Sequence, residues 1–396
     1  MEDTLEFKKE ENQAYLDFKE KEQEFTIEDE EDGTLSFMEK PFNPKDIDII
    51  SRTMSLDNII KRLQENEIDL APDFQRSMNL WEAKKQSQLI ESILINFPLP
   101  AFYFDGTDKN KWLVVDGLQR LSTIQNFVVE KDEKKRLRLT GLEFLDKLKG
   151  STFDDLPRAL QRQIEEAQIV AYIINPGTPE EVKFNIFKRI NTGGLVLAPQ
   201  EIRHALNQGV PAKLIAELAS FKEFKEATQY VIPSSRMLDR EFITRFVSFY
   251  INDANDYKPD LDNFLNKSMA DIKKLTEVEK DKLKTDFKEA MILAKKIFER
   301  FAFRKVFNVN DRRKPINKAL FEVWSVSLAK LSDDERKIIS KKAKLVFKSF
   351  IEIMNKEKQF EPAITSATGD KTRVAFRFNT IQTLLKKIIH DNDNQS

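Results

Sequence analysis

The chain predicts an α+β region followed by an all-helical one. Three observations carry this. Between about residues 46 and 211, short apolar runs alternate with amphipathic stretches and with Pro, Gly and Asn turn signals. From about residue 212, long amphipathic stretches dominate and strand signals fade. Apolar residues, 31 Phe among them, make up 40% of 396 residues, enough for a substantial core in two or three domains.

The elements follow in order. Residues 1–45 are an acidic arm ending in Pro41-Phe42-Asn43-Pro44; its aromatics predict that part of it docks as short strands or a helix. Ser55 reads as an N-cap for a short helix to Leu63. Residues 68–74 read as extended, because Pro72 disfavours helix before it. Residues 82–96 form a helix with Leu89, Ile90, Ile93, Leu94 and Phe97 on one face, ended by Pro98 and Pro100. Residues 101–104 and 112–115 pair as a hairpin, and 118–129 return to helix. A charged loop covers 130–138, and 139–175 give a weak strand–helix–strand signal ending at 169–174. A helix spans 180–190, and Pro199 suits the first position of another over 200–207. The helical domain, 212–396, has its clearest helices at 240–250, 281–301, 317–330, 334–355 and 380–390. The middle domain is 46–211.

Charge and residue usage exclude several chemistries. Residues 1–33 hold 14 carboxylates against 4 lysines, a net of −10, which leaves +9 for the remainder of a chain totalling −1. The arm is either a solvated tail or a self-shielding, DNA-mimicking segment. There is no cysteine, which excludes disulfides, thiolate nucleophiles and cysteine-bound metal centres. With only His204 and His390, a zinc-histidine site and a His-Asn-His nuclease are not expected, and DNA cleavage is not expected from this chain. No apolar run spans a bilayer and no basic-then-apolar leader begins the chain, which predicts a microbial cytoplasmic protein off the membrane.

The most informative stretch is Val114 to Thr123, where an apolar run meets an amphipathic helix through Gly117. A helix start offers free N–H groups and partial positive charge, which suit phosphate oxygens. Arg120 adds a planar, always-charged donor fork. Asp116 would repel a phosphate directly, so it calls for a role as Mg²⁺ ligand, N-cap or clamp on Arg76 or Arg120. Two more clusters share this chemistry: Asp73-Phe74-Gln75-Arg76, and Asn191-Thr192-Gly193-Gly194 followed by Gln200-Glu201-Ile202-Arg203. A surface ion pair or helix cap would explain any one of them; Gln-Arg at two predicted junctions argues for more. A basic cluster, Arg304, Lys305, Arg312, Arg313 and Lys314 with Phe301, Phe303 and Phe307, reads as nucleic-acid-binding or as a solvated helix end over core Phe. Residues 366–377 read as a polar loop, and Trp81 as core.

The motif order from Pro72-Asp73-Phe74-Gln75-Arg76, through Asp116-Gly117-Leu118-Gln119-Arg120-Leu121-Ser122-Thr123, to Asn191-Thr192-Gly193-Gly194 and Gln200-Glu201-Ile202-Arg203 resembles the GmrSD-type N-terminal domain family. The resemblance covers about 55–207. It implies a ParB/sulfiredoxin-like fold for the middle domain and a nucleotide-binding, often NTP-hydrolysing, module of restriction and anti-phage systems. Asp116, Gly117, Gln119 and Arg120 stand on the family's DGQQR signature, Gln75 and Arg76 on its preceding Gln-Arg motif, and Asn191, Gly193, Gly194 and Glu201 on its later motifs. Leu118 stands where the signature's first Gln stands, a departure bearing on base preference or hydrolysis rate. Many relatives append a His-Asn-His nuclease, which this chain lacks.

The expectation is therefore an NTP-binding protein, a slow Mg²⁺-dependent NTPase whose nucleotide state gates DNA or partner binding in defence. Asp116, Gln119 and Arg120 would be catalytic, with Asp116 the metal ligand. Gln75, Arg76, Gly117, Ser122, Thr123, Asn191, Thr192, Gly193, Gly194, Glu201 and Arg203 would bind nucleotide. DNA cleavage would fall to a separate nuclease or defence partner, and a homodimer is allowed. The alternatives are a non-enzymatic nucleotide-gated DNA clamp or adaptor, and a nuclease using carboxylates alone.

Overall fold

Alternating burial along five short segments builds one mixed sheet. A computed structural model of the chain describes residues 27–28, 47–70, 81–190 and 197–390. The strands are β1 (Ile49–Ser55), β2 (Ile68–Asp69), β3 (Phe102–Asp105), β4 (Trp112–Asp116) and β5 (Gln168–Ile174), in the order β1-β5-β3-β4-β2. β1 pairs antiparallel with β5, and β5 runs parallel to β3. β3 and β4 form the expected antiparallel hairpin, and β2 lies parallel to β4.

Phe102, Phe104, Trp112, Val114, Ile169, Ala171 and Ile173 point to the helix-covered face. Four helices pack there: α1 (Leu56–Gln64), α2 (Ala83–Leu94), α3 (Leu118–Ile124) and α4 (Arg158–Glu166). α1 buries Leu56, Ile59, Ile60 and Leu63, at i, i+3, i+4 and i+7. Each such side chain contributes about 1.5–3 kcal/mol of transfer free energy. Ser55 is its N-cap, but the Ser55 hydroxyl accepts from the Asn58 amide at 3.0 Å rather than from a backbone N–H. α3 ends in a π turn over Gln125–Val129. The unit closes with α5 (Glu180–Ile190) and α6 (Pro199–Leu206), which pack on each other, Pro199 at the first helical position as expected.

One strand was missed and one expectation fails here. β1 has no counterpart in the sequence reading: Ser51, Arg52 and Thr53 are exposed, so its apolar alternation is weak. Residues 139–157 hold no strand. Instead buried Glu91 on α2 accepts the backbone N–H groups of Glu143, Phe144 and Leu145 and satisfies that loop without a ladder.

A second unit comprises Met1–Pro41 and Asn207–Ser396; the first is Phe42–Leu206. Its described helices are α7 (Val210–Ser220), α8 (Lys222–Ala227), α9 (Leu238–Ile251), α10 (Leu261–Asp271), α11 (Glu277–Phe298), α12 (Lys318–Ala329), α13 (Asp333–Lys341), α14 (Ala343–Lys356), α15 (Phe360–Thr365) and α16 (Lys371–His390). Residues 334–355, expected as one helix, are two. The chain breaks at Lys342, whose ammonium bonds the Ile388 carbonyl in the last turn of α16 at 2.8 Å. The expected loop 366–377 is mostly helix from Lys371, because Arg377 is drawn inward. Glu322 on α12, 0% exposed, bonds Arg245 of α9 and Arg377 of α16, each at 2.6 Å. Arg377 also donates to the Thr368 carbonyl at 2.7 Å, which fixes the preceding loop.

Of the acidic arm, Ile27 and Glu28 are described. Ile27 bridges Ile316 in parallel, and the Glu28 carboxylate bonds Lys305 and the Asn317 amide.

Candidate functional site

The site is built where β4 hands over to α3. Gly117 makes the turn at φ +101°, a conformation that L side chains rarely adopt. A Cβ there would lie 2.5 Å from the Phe102 ring. The glycine therefore serves both the turn and the close approach of β3. The tight turn at Gly117 folds the first turn of α3 back on the end of β4, so the Asp116 carboxylate and the Arg120 guanidinium meet at 2.7 Å.

Arg120 is 8% exposed. Its guanidinium donates to the Pro100 carbonyl, to the Ala101 carbonyl at 3.2 Å and to Asp116, and lies 4.5 Å over the Phe102 ring. Burial pulls its pKa below the arginine range, and Asp116 pulls it back. It remains a cation, but one engaged with the scaffold. It clamps Asp116 and ties the start of β3 to α3, the second of the two clamp partners expected for Asp116. The Asp116 side chain keeps 31% of its surface exposed.

The neighbouring signature residues divide between scaffold and surface. The Gln119 side-chain oxygen accepts the Trp81 N–H at 3.0 Å, which anchors the segment leading into α2. Trp81 is thus half-buried, with Lys85 4.6 Å over its ring, rather than a core residue. Thr123 is fully buried and donates back to the Gln119 carbonyl at 2.8 Å, so its hydroxyl serves the helix. Ser122 is half-buried. Leu118 belongs to the hydrophobic core, so this position packs against its neighbours.

Sequence reading missed the row of side chains beside Asp116. The β3–β4 register shifts so that Val114 faces Phe104 and Asp116 faces Tyr103. Tyr103 also faces Tyr172, and Tyr172 faces Ser51. The row Ser51–Tyr172–Tyr103–Asp116 crosses four strands on the face opposite the helix-packed one. The two tyrosine rings stack at 4.9 Å and 14°. Burial, Tyr172 and Asp116 push the Tyr103 hydroxyl above its ordinary range. On the same face, Lys183 of α5, 3% exposed, bonds Asp105 at 3.3 Å and Glu180 at 3.1 Å. The available signal was a tyrosine at the centre of each of two apolar runs, 102–104 and 171–173.

Glu201 and Arg203 lie on α6, both buried. Glu201 accepts the Ala198 N–H at 2.6 Å; Arg203 donates to Gln200 at 3.2 Å and lies 5.6 Å from the Phe184 ring on α5. Gln75, Arg76, Asn191, Thr192, Gly193 and Gly194 lie outside the described residues. Among the described residues, no group of three or more His, Asp or Glu side chains converges on a metal position.

The basic cluster of the helical unit also splits. Arg304 is buried and donates to the Lys314 carbonyl; burial, then Arg313, pull it down to about 10. Lys305 is buried and bonds Glu28 and the Thr365 hydroxyl. These two are scaffold cations, which corrects their reading as surface groups. Arg312 and Arg313 are exposed and Lys314 is half-exposed, with Arg313 bonded to Gln229 at 2.9 Å and Lys314 4.1 Å over Phe307.

Residues 56–208 match the family model described as GmrSD restriction endonuclease, N-terminal domain. No curated protein and no solved structure matches the chain. Among the described residues, no helix is long and apolar enough to cross a membrane.

Proposed function

Taking residues 56–208 as a GmrSD N-terminal domain, we propose that the turn at 116–119 binds a nucleoside triphosphate in a restriction or anti-phage system. The observation that carries this is the Gly117 turn with an Arg120-clamped Asp116 at its mouth. The first backbone N–H groups of a helix lack intrahelical partners and favour a phosphate, which supports this reading of the start of α3. Asp116 is the carboxylate that would meet a phosphate-bound Mg²⁺, which needs one or two protein carboxylates and takes its other ligands from phosphates and water. When bound, Mg²⁺ would neutralise charge on the phosphates. Arg120 acts as a positioning residue that holds Asp116. Gln119 keeps the Trp81 segment against the turn, and the Tyr103–Tyr172 pair borders it with flat aromatic surface.

Slow hydrolysis is the leading reading. The non-enzymatic, nucleotide-gated clamp is supported by one observation: Arg120, the arginine of the signature, spends its donors on two carbonyls and Asp116. Phosphate release from ATP, GTP, CTP and UTP with Mg²⁺ tests both. Turnover lost in Asp116→Ala and reduced in Arg120→Ala supports the NTPase. Nucleotide binding without turnover supports the clamp. Neither binding nor turnover contradicts both.

A further inference from the structure

The helical unit holds a cavity of about 480 Å³, within the roughly 300–1,000 Å³ of small-molecule pockets. It opens between α7, α8 and the start of α9, and its lining includes Phe224, Lys225, Thr228, Tyr230, Asp239 and Arg240. Its lining mixes apolar side chains with one carboxylate and two cations. Tyr230 stands at its lip, 66% exposed.

The lip is held in strained backbone. Gln229 and Tyr230 sit at φ +58° and +60°, and Arg236 and Met237 at +55° and +56°. All four fall in the segment between α8 and α9 that borders the cavity, and none is a glycine. The Gln229 side chain accepts from Arg313 at 2.9 Å. The cavity mouth is therefore joined directly to the loop carrying Arg312, Arg313 and Lys314, the part of the basic cluster that reaches the surface.

We propose that this cavity receives one nucleobase turned out of a DNA strand whose phosphates lie on the 312–314 loop. The chemistry matches at each point. Exposed cations beside the mouth suit phosphates. An exposed tyrosine offers a stacking face for any base. Asp239 supplies an acceptor for ring or exocyclic N–H donors, which every base presents in some pattern. Burial holds its carboxyl above the ordinary range, against the pull of the neighbouring backbone and Arg240, which fits a group inside a shielded pocket. Asp239 beside Lys225 and Arg240 gives the lining both acceptor and donor character, which suits a flat polar heterocycle better than a purely apolar ligand.

The test uses the full chain and duplex DNA carrying 2-aminopurine, which fluoresces more strongly once out of the stack. It is run without nucleotide, so its outcome stands apart from the phosphate-release result. Wild type should bind the duplex and raise the fluorescence. Tyr230→Ala should weaken the extruded state about 5-fold or more, and Asp239→Asn should also diminish the signal, both with duplex affinity little changed. Arg313→Ala should weaken duplex binding itself and lower the salt slope by about 1. Circular dichroism checks folding, and the exposure of Tyr230 makes its truncation the safest variant. Absence of duplex binding, no fluorescence rise in wild type, or an equal rise in wild type and Tyr230→Ala would each overturn the proposal.

Discussion

Replacing Gly117 by alanine probes the turn against an internal control, Gly177. The two glycines have nearly the same φ, +101° and +100°. An added Cβ meets nothing within 4 Å at Gly177, but lies 2.5 Å from the Phe102 ring and 3.3 Å from the Arg120 guanidinium at Gly117. Positive φ costs an alanine about 1–2 kcal/mol, and the stiffer unfolded chain returns about 0.4–1 kcal/mol. Gly177→Ala should therefore cost about 0–1.5 kcal/mol. Phe102 is fully buried and stacked under Arg120, so it cannot swing aside. Gly117→Ala should add about 1–3 kcal/mol of overpacking. At about 2–4 °C per kcal/mol for a unit of this size, the two variants should differ by about 2–12 °C in Tm. Thermal unfolding followed by tryptophan fluorescence reads this, since Trp81 and Trp112 both lie in the α/β unit. Equal losses in the two variants would refute the close approach of β3 to the turn.

Other outcomes follow from the same geometry. Glu322→Ala leaves Arg377 and Arg245 buried beside a missing charge and should destabilise the helical unit by about 3–5 kcal/mol; a urea midpoint like that of wild type would show that water or a rearrangement compensates. Glu91 faces opposing influences: burial raises its pKa, while the Glu143, Leu145 and Phe144 N–H groups lower it further, leaving the carboxyl below its ordinary value of 4.5. Its stabilising contribution is then complete above that value and lost as pH falls through the lower folded pKa. Urea midpoints between pH 6 and 3 should fall less steeply in Glu91→Gln, and parallel curves would contradict this. Leu118→Gln buries an amide in the core, so it should cost about 1–3 kcal/mol without improving phosphate release; a gain in turnover would show that the position reaches the ligand.

The turn itself was legible because its signals are local: an apolar run, one glycine, then an amphipathic period. Burial decided what the sequence left open. Arg304 and Lys305 carry the same charge as Arg312 and Arg313, but Lys305 meets Glu28, 277 positions away, and no window of sequence contains both. Arg120 looks like a phosphate ligand by type, yet the carbonyls that engage it lie 19 and 20 residues upstream. β1 was hidden because its exposed Ser51-Arg52-Thr53 centre carries no alternation. The break between α13 and α14 had only a partial signal. Ser332 and Glu335 form a capping box that marks a start, but the turn at Lys342 answers to Ile388 on another helix.

The central claim is that the Gly117 turn, with Asp116 held by Arg120, binds a nucleoside triphosphate. Equilibrium titration of the full chain with each NTP in the presence of Mg²⁺, wild type beside Asp116→Ala, tests it most directly. Saturable binding of at least one NTP is expected, with a marked loss of affinity in the variant. Binding that is equal in both proteins, or absent in wild type, would contradict it.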